Sequence, residues 1–197
     1  MYFATTSAVW GGGRAFYDPG APGRVLGRAH LVTGEQFGDI VAQEMYREPG
    51  GPGGEAVLRD VLRDVLAQGR AVLGDGRYET LVCVGEIDSV PVVTFTAPWG
   101  VREVPGVSPA ASYLRHLGAG LLAAGAWEYE MVASYLAGCP GAAGCWSERE
   151  ILELLRSGDR GGSGGSAGGG DVGGASGAYG GERVAVTRLR GWPPPSS

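Results

Sequence analysis

The 197-residue sequence contains no lysine and no asparagine, and its isoleucines are Ile40, Ile87 and Ile151 alone. Codons for these residues are AT-rich, so the composition reads as the translation of a GC-rich genome. Without lysine no Walker phosphate loop can be built. The three cysteines, Cys83, Cys139 and Cys145, are odd in number and form no C-x-x-C pair, which argues against a disulfide framework and a zinc site. Histidine is limited to His30, in a strand pattern, and His116, in a helix pattern; both read as structural, and no H-E-x-x-H or H-x-E occurs to support zinc hydrolysis. No apolar run approaches the roughly 18 residues of a membrane-spanning helix. Met1 to Ala8 has neither a basic flank nor a signal-like apolar core, so a cytoplasmic location is expected, without membrane contact. The net charge of −5 argues against nucleic acid as a partner.

Glycine is the opposite case, with 38 residues, about 19% against a usual 7%. There is no collagen register, and a hydrophobic share of 44% is too high for a wholly disordered chain. Fourteen of the glycines lie in 157–197. That segment lacks a hydrophobic period to offset its ordering entropy and reads as a disordered Gly/Ser/Pro-rich tail. It holds formal G-x-S-x-G matches at Ser163 and Ser166, without the flanking strand and helix of a nucleophile elbow. It closes on a Pro-rich stretch after Trp192. Its one β-branched stretch, Arg183 to Leu189, has strand composition and is a candidate for returning to the sheet. Residues 1–156 suffice for one domain with its own core.

Within that domain Arg14 to Tyr17 and Arg24 to Val32 read as strands. Thr33-Gly34-Glu35-Gln36 has capping-box spacing and opens a helix to about Met45, with Phe37, Ile40 and Val41 on one face. A Gly/Pro patch at 49–54 precedes an amphipathic helix whose apolar pairs fall at 57/58, 61/62 and 65/66. Arg77 to Glu86 and Val90 to Ala97 read as strands of a hairpin turning at Asp88-Ser89. Ser108-Pro109 has helix-start chemistry for a stripe at Tyr113, Leu114, Leu117, Leu121 and Leu122. A second helix is expected from about Glu128 to Leu136, and a third from Ser147, where Glu150 completes another capping box. Gly11-Gly12-Gly13 precedes a strand rather than a helix, so it lacks the helix N-terminus of a phosphate site. Strands early and helices late indicate an α+β fold.

The chemistry this leaves is a lone carboxylate. Glu44 ends the 36–45 helix beside apolar Ile40 and Val41. The position suits an exposed helix-end glutamate, or a partly buried one whose pKa desolvation would raise towards acid/base use.

Four stretches together resemble the γ-glutamylcyclotransferase family: Trp10-Gly11-Gly12-Gly13-Arg14-Ala15-Phe16; Gly27 to Leu31 followed by a helix closing on Gln43-Glu44; Arg77 to Val82; and Ser108-Pro109 with Tyr113, Gly120, Gly125 and Tyr129. They span roughly residues 1–137. The resemblance implies a small α+β domain with a twisted, barrel-like mixed sheet and flanking helices. It implies a metal-free, cofactor-free reaction in which the α-amine of a γ-glutamyl amine or amide attacks its own γ-carbonyl and releases 5-oxoproline. It makes Glu44 the general acid/base, and Trp10, Gly11, Gly12, Tyr78 and Tyr113 substrate-binding candidates; Tyr78 and Tyr113 suit a core role equally. The family's first strand and Tyr-Gly-Ser-Asn-type loop have no visible counterpart, because Trp10-Gly11-Gly12 follows Met1 to Ser7 too soon and asparagine is absent. The chain is therefore expected to begin inside the domain. Met45 also stands where members often have glycine, and 49–76 is an insertion. The same resemblance accommodates a catalytically silent domain that binds a small molecule or protein. A protein-interaction module rests on tail composition alone.

Overall fold

The computed structural model describes residues 1–45, 54–160 and 183–188. In chain order the elements are β1 (Tyr2–Thr6), β2 (Gly13–Phe16), β3 (Arg28–Thr33), α1 (Gly34–Glu44), α2 (Gly54–Gln68), β4 (Arg70–Val72), β5 (Thr80–Ile87), β6 (Val90–Thr96), α3 (Ala111–Leu122), α4 (Tyr129–Ala137), α5 (Glu148–Arg160) and β7 (Arg183–Arg188). The fold is α+β. β1 and β2 form an antiparallel pair, and the other strands form a five-stranded sheet in the order β3-β7-β6-β5-β4. The β6–β7 pair is parallel and the rest of that sheet is antiparallel.

The barrel-like sheet expected from sequence is corrected here: the described strands form two separate sheets and do not close. The free side of β1 is bonded to loops instead of to the larger sheet. Phe3 N–H donates to the Pro140 carbonyl at 2.7 Å, and the Phe3 carbonyl accepts from Val107 N–H at 3.0 Å.

Side chains alternate across β1 and β2 as a strand's period of two requires. Phe3 and Ala15 face the core formed with α3, α4 and α5, where Leu114, Leu136 and Ile151 are buried. Tyr2, Ala4 and Phe16 face a smaller cluster with Ala97. A third cluster packs Phe37 and Val41 of α1 and Leu62 and Val65 of α2 on Leu81 and Val93.

β1 went unread in the sequence because it is buried on both faces, so it carries no polar alternation. β4 is three residues long, too short for any period. The hairpin at Asp88-Ser89 forms as expected, with both residues at positive φ (51° and 63°), the geometry that matches strand twist in a two-residue turn. The strand expected from Arg24 begins only at Arg28. α3 starts later than Ser108-Pro109 indicated. The Ser108 carbonyl accepts from Gly13 N–H at 2.9 Å and the Pro109 carbonyl from the Trp146 indole at 3.0 Å. These bonds hold 108–110 extended, and Ala110 becomes an N-cap with no side-chain bond.

The disordered tail from 157 is also corrected where it is described. α5 continues to Arg160, and Arg183–Arg188 forms β7 between β3 and β6, because its β-branched run can satisfy two open strand edges at once. The Gly/Pro patch at 49–53, the G-x-S-x-G matches and the Pro-rich stretch after Trp192 lie outside the described residues.

Candidate functional site

α1 is anchored at its start by a complete capping box. Gln36 N–H donates to Thr33 Oγ1 at 3.2 Å and Thr33 N–H to Gln36 Oε1 at 2.9 Å. Phe37 and Val41 are buried. Glu44 lies seven residues after Phe37 and three after Val41, so helical geometry returns it to the same face. There it is half-buried and lines a cavity of about 770 Å³.

Trp10, Tyr78 and Tyr113 line the same cavity; Gly11 and Gly12 do not. Gly11 is exposed at φ 74°, and Gly12 is buried with its Cα against the Ser108–Ala110 backbone. The structure thus brings Glu44, Trp10, Tyr78 and Tyr113 around one cavity and leaves the two glycines in loop packing.

The β1–β2 connection shapes one side of the cavity. Ser7 N–H donates to the Gly12 carbonyl and Gly11 N–H to the Ser7 carbonyl, both at 2.8 Å, while Ser7 Oγ accepts from Trp10 N–H at 3.2 Å. The loop presents the Trp10 ring to Tyr113 (centroids 5.1 Å apart) and stacks it on His116 (5.3 Å). Arg14 Nη1 donates to the Thr6 carbonyl at 2.7 Å and to Thr5 Oγ1 at 3.3 Å. Thr5 has φ 47°, a left-handed conformation that costs a β-branched residue about 1–3 kcal/mol. The arginine bonds help hold it there.

Arg14 and Phe16 share one face of β2, and Tyr78 stacks on Phe16 at 5.4 Å and meets Phe95 edge-on at 5.8 Å. Burial pushes the Tyr78 phenol well above its ordinary pKa; the neighbouring Tyr113 and Glu44 push it further, and Arg14 and Arg77 oppose them. The phenol therefore keeps its proton and remains a hydrogen-bond donor at neutral pH. The Tyr113 hydroxyl accepts from Ala15 N–H at 3.3 Å, tying α3 to β2.

Sequence reasoning passed over Arg14, Ser7 and Thr94 as cavity residues, and read His30 and His116 as structural; all five line the cavity. For Arg14 a signal existed. It is a charge between Gly13 and buried Ala15 in a short strand, on the face that carries Phe16. Among the described residues no group of three or more His, Cys, Asp or Glu is arranged to hold a metal ion, and no helix is long and apolar enough to cross a membrane. No family model, no curated protein and no solved structure matches the chain.

Proposed function

We propose that the chain is a γ-glutamylcyclotransferase-like enzyme, on a variant of that family's fold, which releases 5-oxoproline from a γ-glutamyl amine or amide. The observation that carries this reading is the meeting of one carboxylate (Glu44), one guanidinium (Arg14) and two phenols (Tyr78, Tyr113) around one cavity. These groups complement a γ-glutamyl unit, which offers an ammonium, a carboxylate and an amide carbonyl.

In this reading Arg14 takes the α-carboxylate. Its guanidinium has five N–H donors in a planar fork, so the bonds to Thr5 and Thr6 can orient it without exhausting it. Glu44 accepts a proton from the α-ammonium, and the freed amine attacks the γ-carbonyl carbon. The new C–N bond closes the lactam, and the protonated Tyr78 phenol is a donor for the carbonyl oxygen as charge develops. The original amide C–N bond then breaks as Glu44 gives the proton to the departing nitrogen, and the second proton of the ring nitrogen passes through the regenerated Glu44 carboxylate to the released amine, which leaves as its ammonium. Nucleophile and electrophile belong to one molecule, so holding them in attack geometry is the main task. No water or cofactor is consumed.

The test is 5-oxoproline release, measured by mass spectrometry, from a panel of γ-glutamyl amides. Glu44→Gln keeps the size and shape of the side chain. It is expected to lower kcat by about 10²–10⁴-fold, the usual share of general acid/base catalysis, with an unchanged melting temperature. Equal turnover by Glu44→Gln would remove Glu44 from its role, and no release from any amide by the wild type would remove the activity.

A further inference from the structure

An irregularity in β1 decides which side chain accompanies Arg14. Ala4 pairs with Arg14 and Thr6 with Gly13, so β1 advances two residues against one of β2 and Thr5 is left unpaired. Thr5 takes φ 47°, which a β-branched residue adopts only at a cost. Beyond this bulge the two chains stay in step: Ser7 N–H donates to the Gly12 carbonyl at 2.8 Å, and Ser7 stands opposite Gly12. In an unbroken antiparallel register Thr6 would stand there, and Ser7 would fall on the face of Phe3, because a shift of one residue exchanges the two faces of a strand. The bulge therefore sets Ser7 on the face of Arg14 and Phe16. Ser7 and Arg14 are diagonal neighbours across the pair, a separation that a long side chain spans.

Ser7 is only 3% exposed, yet it lines the cavity, as Arg14 does. Its Oγ accepts from Trp10 N–H at 3.2 Å, which fixes the oxygen, and among the described residues no group accepts its proton. Burying a donor without an acceptor is unfavourable, and an acceptor on a bound ligand removes that cost. Arg14 spends donors on the Thr6 carbonyl and Thr5 Oγ1 and retains others of its fork. A hydroxyl and a guanidinium on one face suit a carboxylate, whose two oxygens accept several hydrogen bonds at once. Resting on the cyclotransferase reading, we propose that Ser7 binds the α-carboxylate of the γ-glutamyl unit together with Arg14, and that the bulge at Thr5 is what places it there.

Two lactams test this: 5-oxoproline, which keeps that carboxylate, and 2-pyrrolidinone, the same ring without it. Calorimetric titration of the full chain should show the wild type binding 5-oxoproline more tightly by about ten-fold or more, and Ser7→Ala should cut that preference by about ten-fold, the scale of a hydrogen bond to a charged group. Loss of the acceptor for Trp10 N–H loosens the loop for both lactams alike, so the ratio of affinities isolates the bond to the carboxylate. Ser7→Cys, close to serine in size but a weak donor, should shift the ratio in the same direction and decides the matter if the alanine variant does not fold. An unchanged ratio overturns the proposal and puts the carboxylate at another group of the cavity wall, such as His30, His116 or the Met1 ammonium. Binding of neither lactam by the wild type, or of both equally, also overturns it. Failure of the cyclotransferase reading has a different signature: no γ-glutamyl amide is turned over, while a Ser7-dependent preference for 5-oxoproline persists and sustains the carboxylate seat.

Discussion

Gly13→Ala is the sharpest probe of how the cavity loop is held. A Cβ at Gly13 would lie 2.1 Å from the Val107 carbonyl oxygen, 2.9 Å from its carbon and 3.1 Å from Phe3 Cβ. Two of these three atoms are backbone, so no rotamer change relieves the contact, and the β2 and 107–110 segments must separate. That separation strains the bond from Gly13 N–H to the Ser108 carbonyl, now 2.9 Å, and the bond from Val107 N–H to the Phe3 carbonyl, now 3.0 Å. Overpacking costs about 1–3 kcal/mol and one weakened hydrogen bond about 1 kcal/mol, together about 2–4 kcal/mol. For a chain of this length that lowers Tm by about 4–16 °C. The comparison is Gly11→Ala. Gly11 has φ 74° and nothing within 4 Å of its would-be Cβ, so only the left-handed backbone is penalised, by about 1–2 kcal/mol. Gly11→Asn should recover part of that loss, because asparagine tolerates this conformation. Thermal unfolding followed by circular dichroism, with urea titrations for the free energies, reads all three variants. The reasoning fails if Gly13→Ala melts with the wild type, or if Gly11→Ala loses more than Gly13→Ala.

Other expected outcomes follow from the same contacts. Arg14→Met should raise KM for γ-glutamyl substrates by roughly ten-fold or more, the value of a charged hydrogen-bond partner, with a smaller effect on kcat; an unchanged KM would remove the carboxylate anchor. Glu150 is held below the usual carboxylate pKa, first by the Ser147 hydroxyl and then by the Ser147 backbone N–H. Its contribution to α5 is therefore present above the ordinary carboxylate range and is lost as pH falls through the lowered value. NMR titration should show the Glu150 pKa moving up in Ser147→Ala, and no movement would refute the assignment. Ending the chain at Arg160 removes β7, the strand through which β3 joins the larger sheet. The truncated chain should melt lower and lose 5-oxoproline release while α3 to α5 keep their helical signal; a melting temperature equal to that of the full chain would show that β7 does not carry β3.

Helix starts were legible where the determining contacts are local. The boxes at Thr33 and Ser147 close between residues three apart, so composition and spacing suffice to find them. The start of α3 was not legible at Ser108-Pro109, because its position depends on bonds to Gly13 and Trp146, remote in the chain. For the site, Glu44 could be singled out only through the family resemblance, since its place at a helix end beside apolar residues suits an exposed glutamate equally. Arg14 offered only its charge within a short apolar strand, and the two histidines offered nothing, because no residue adjacent to them reveals which cavity they border.

The sequence by itself therefore determined the α+β class, the two capped helices, the Asp88-Ser89 hairpin and the shortage of histidine and lysine. Each depends on residue type or on neighbours within a few positions. Tertiary structure alone decided that β1 is a doubly buried strand, that the sheets stay separate, and that β7 enters the larger one. It also decided that Glu44, Arg14, Tyr78 and Tyr113 meet. They come from α1, β2, the segment before β5 and α3, and only the packing of those elements on three apolar clusters brings their side chains around one cavity.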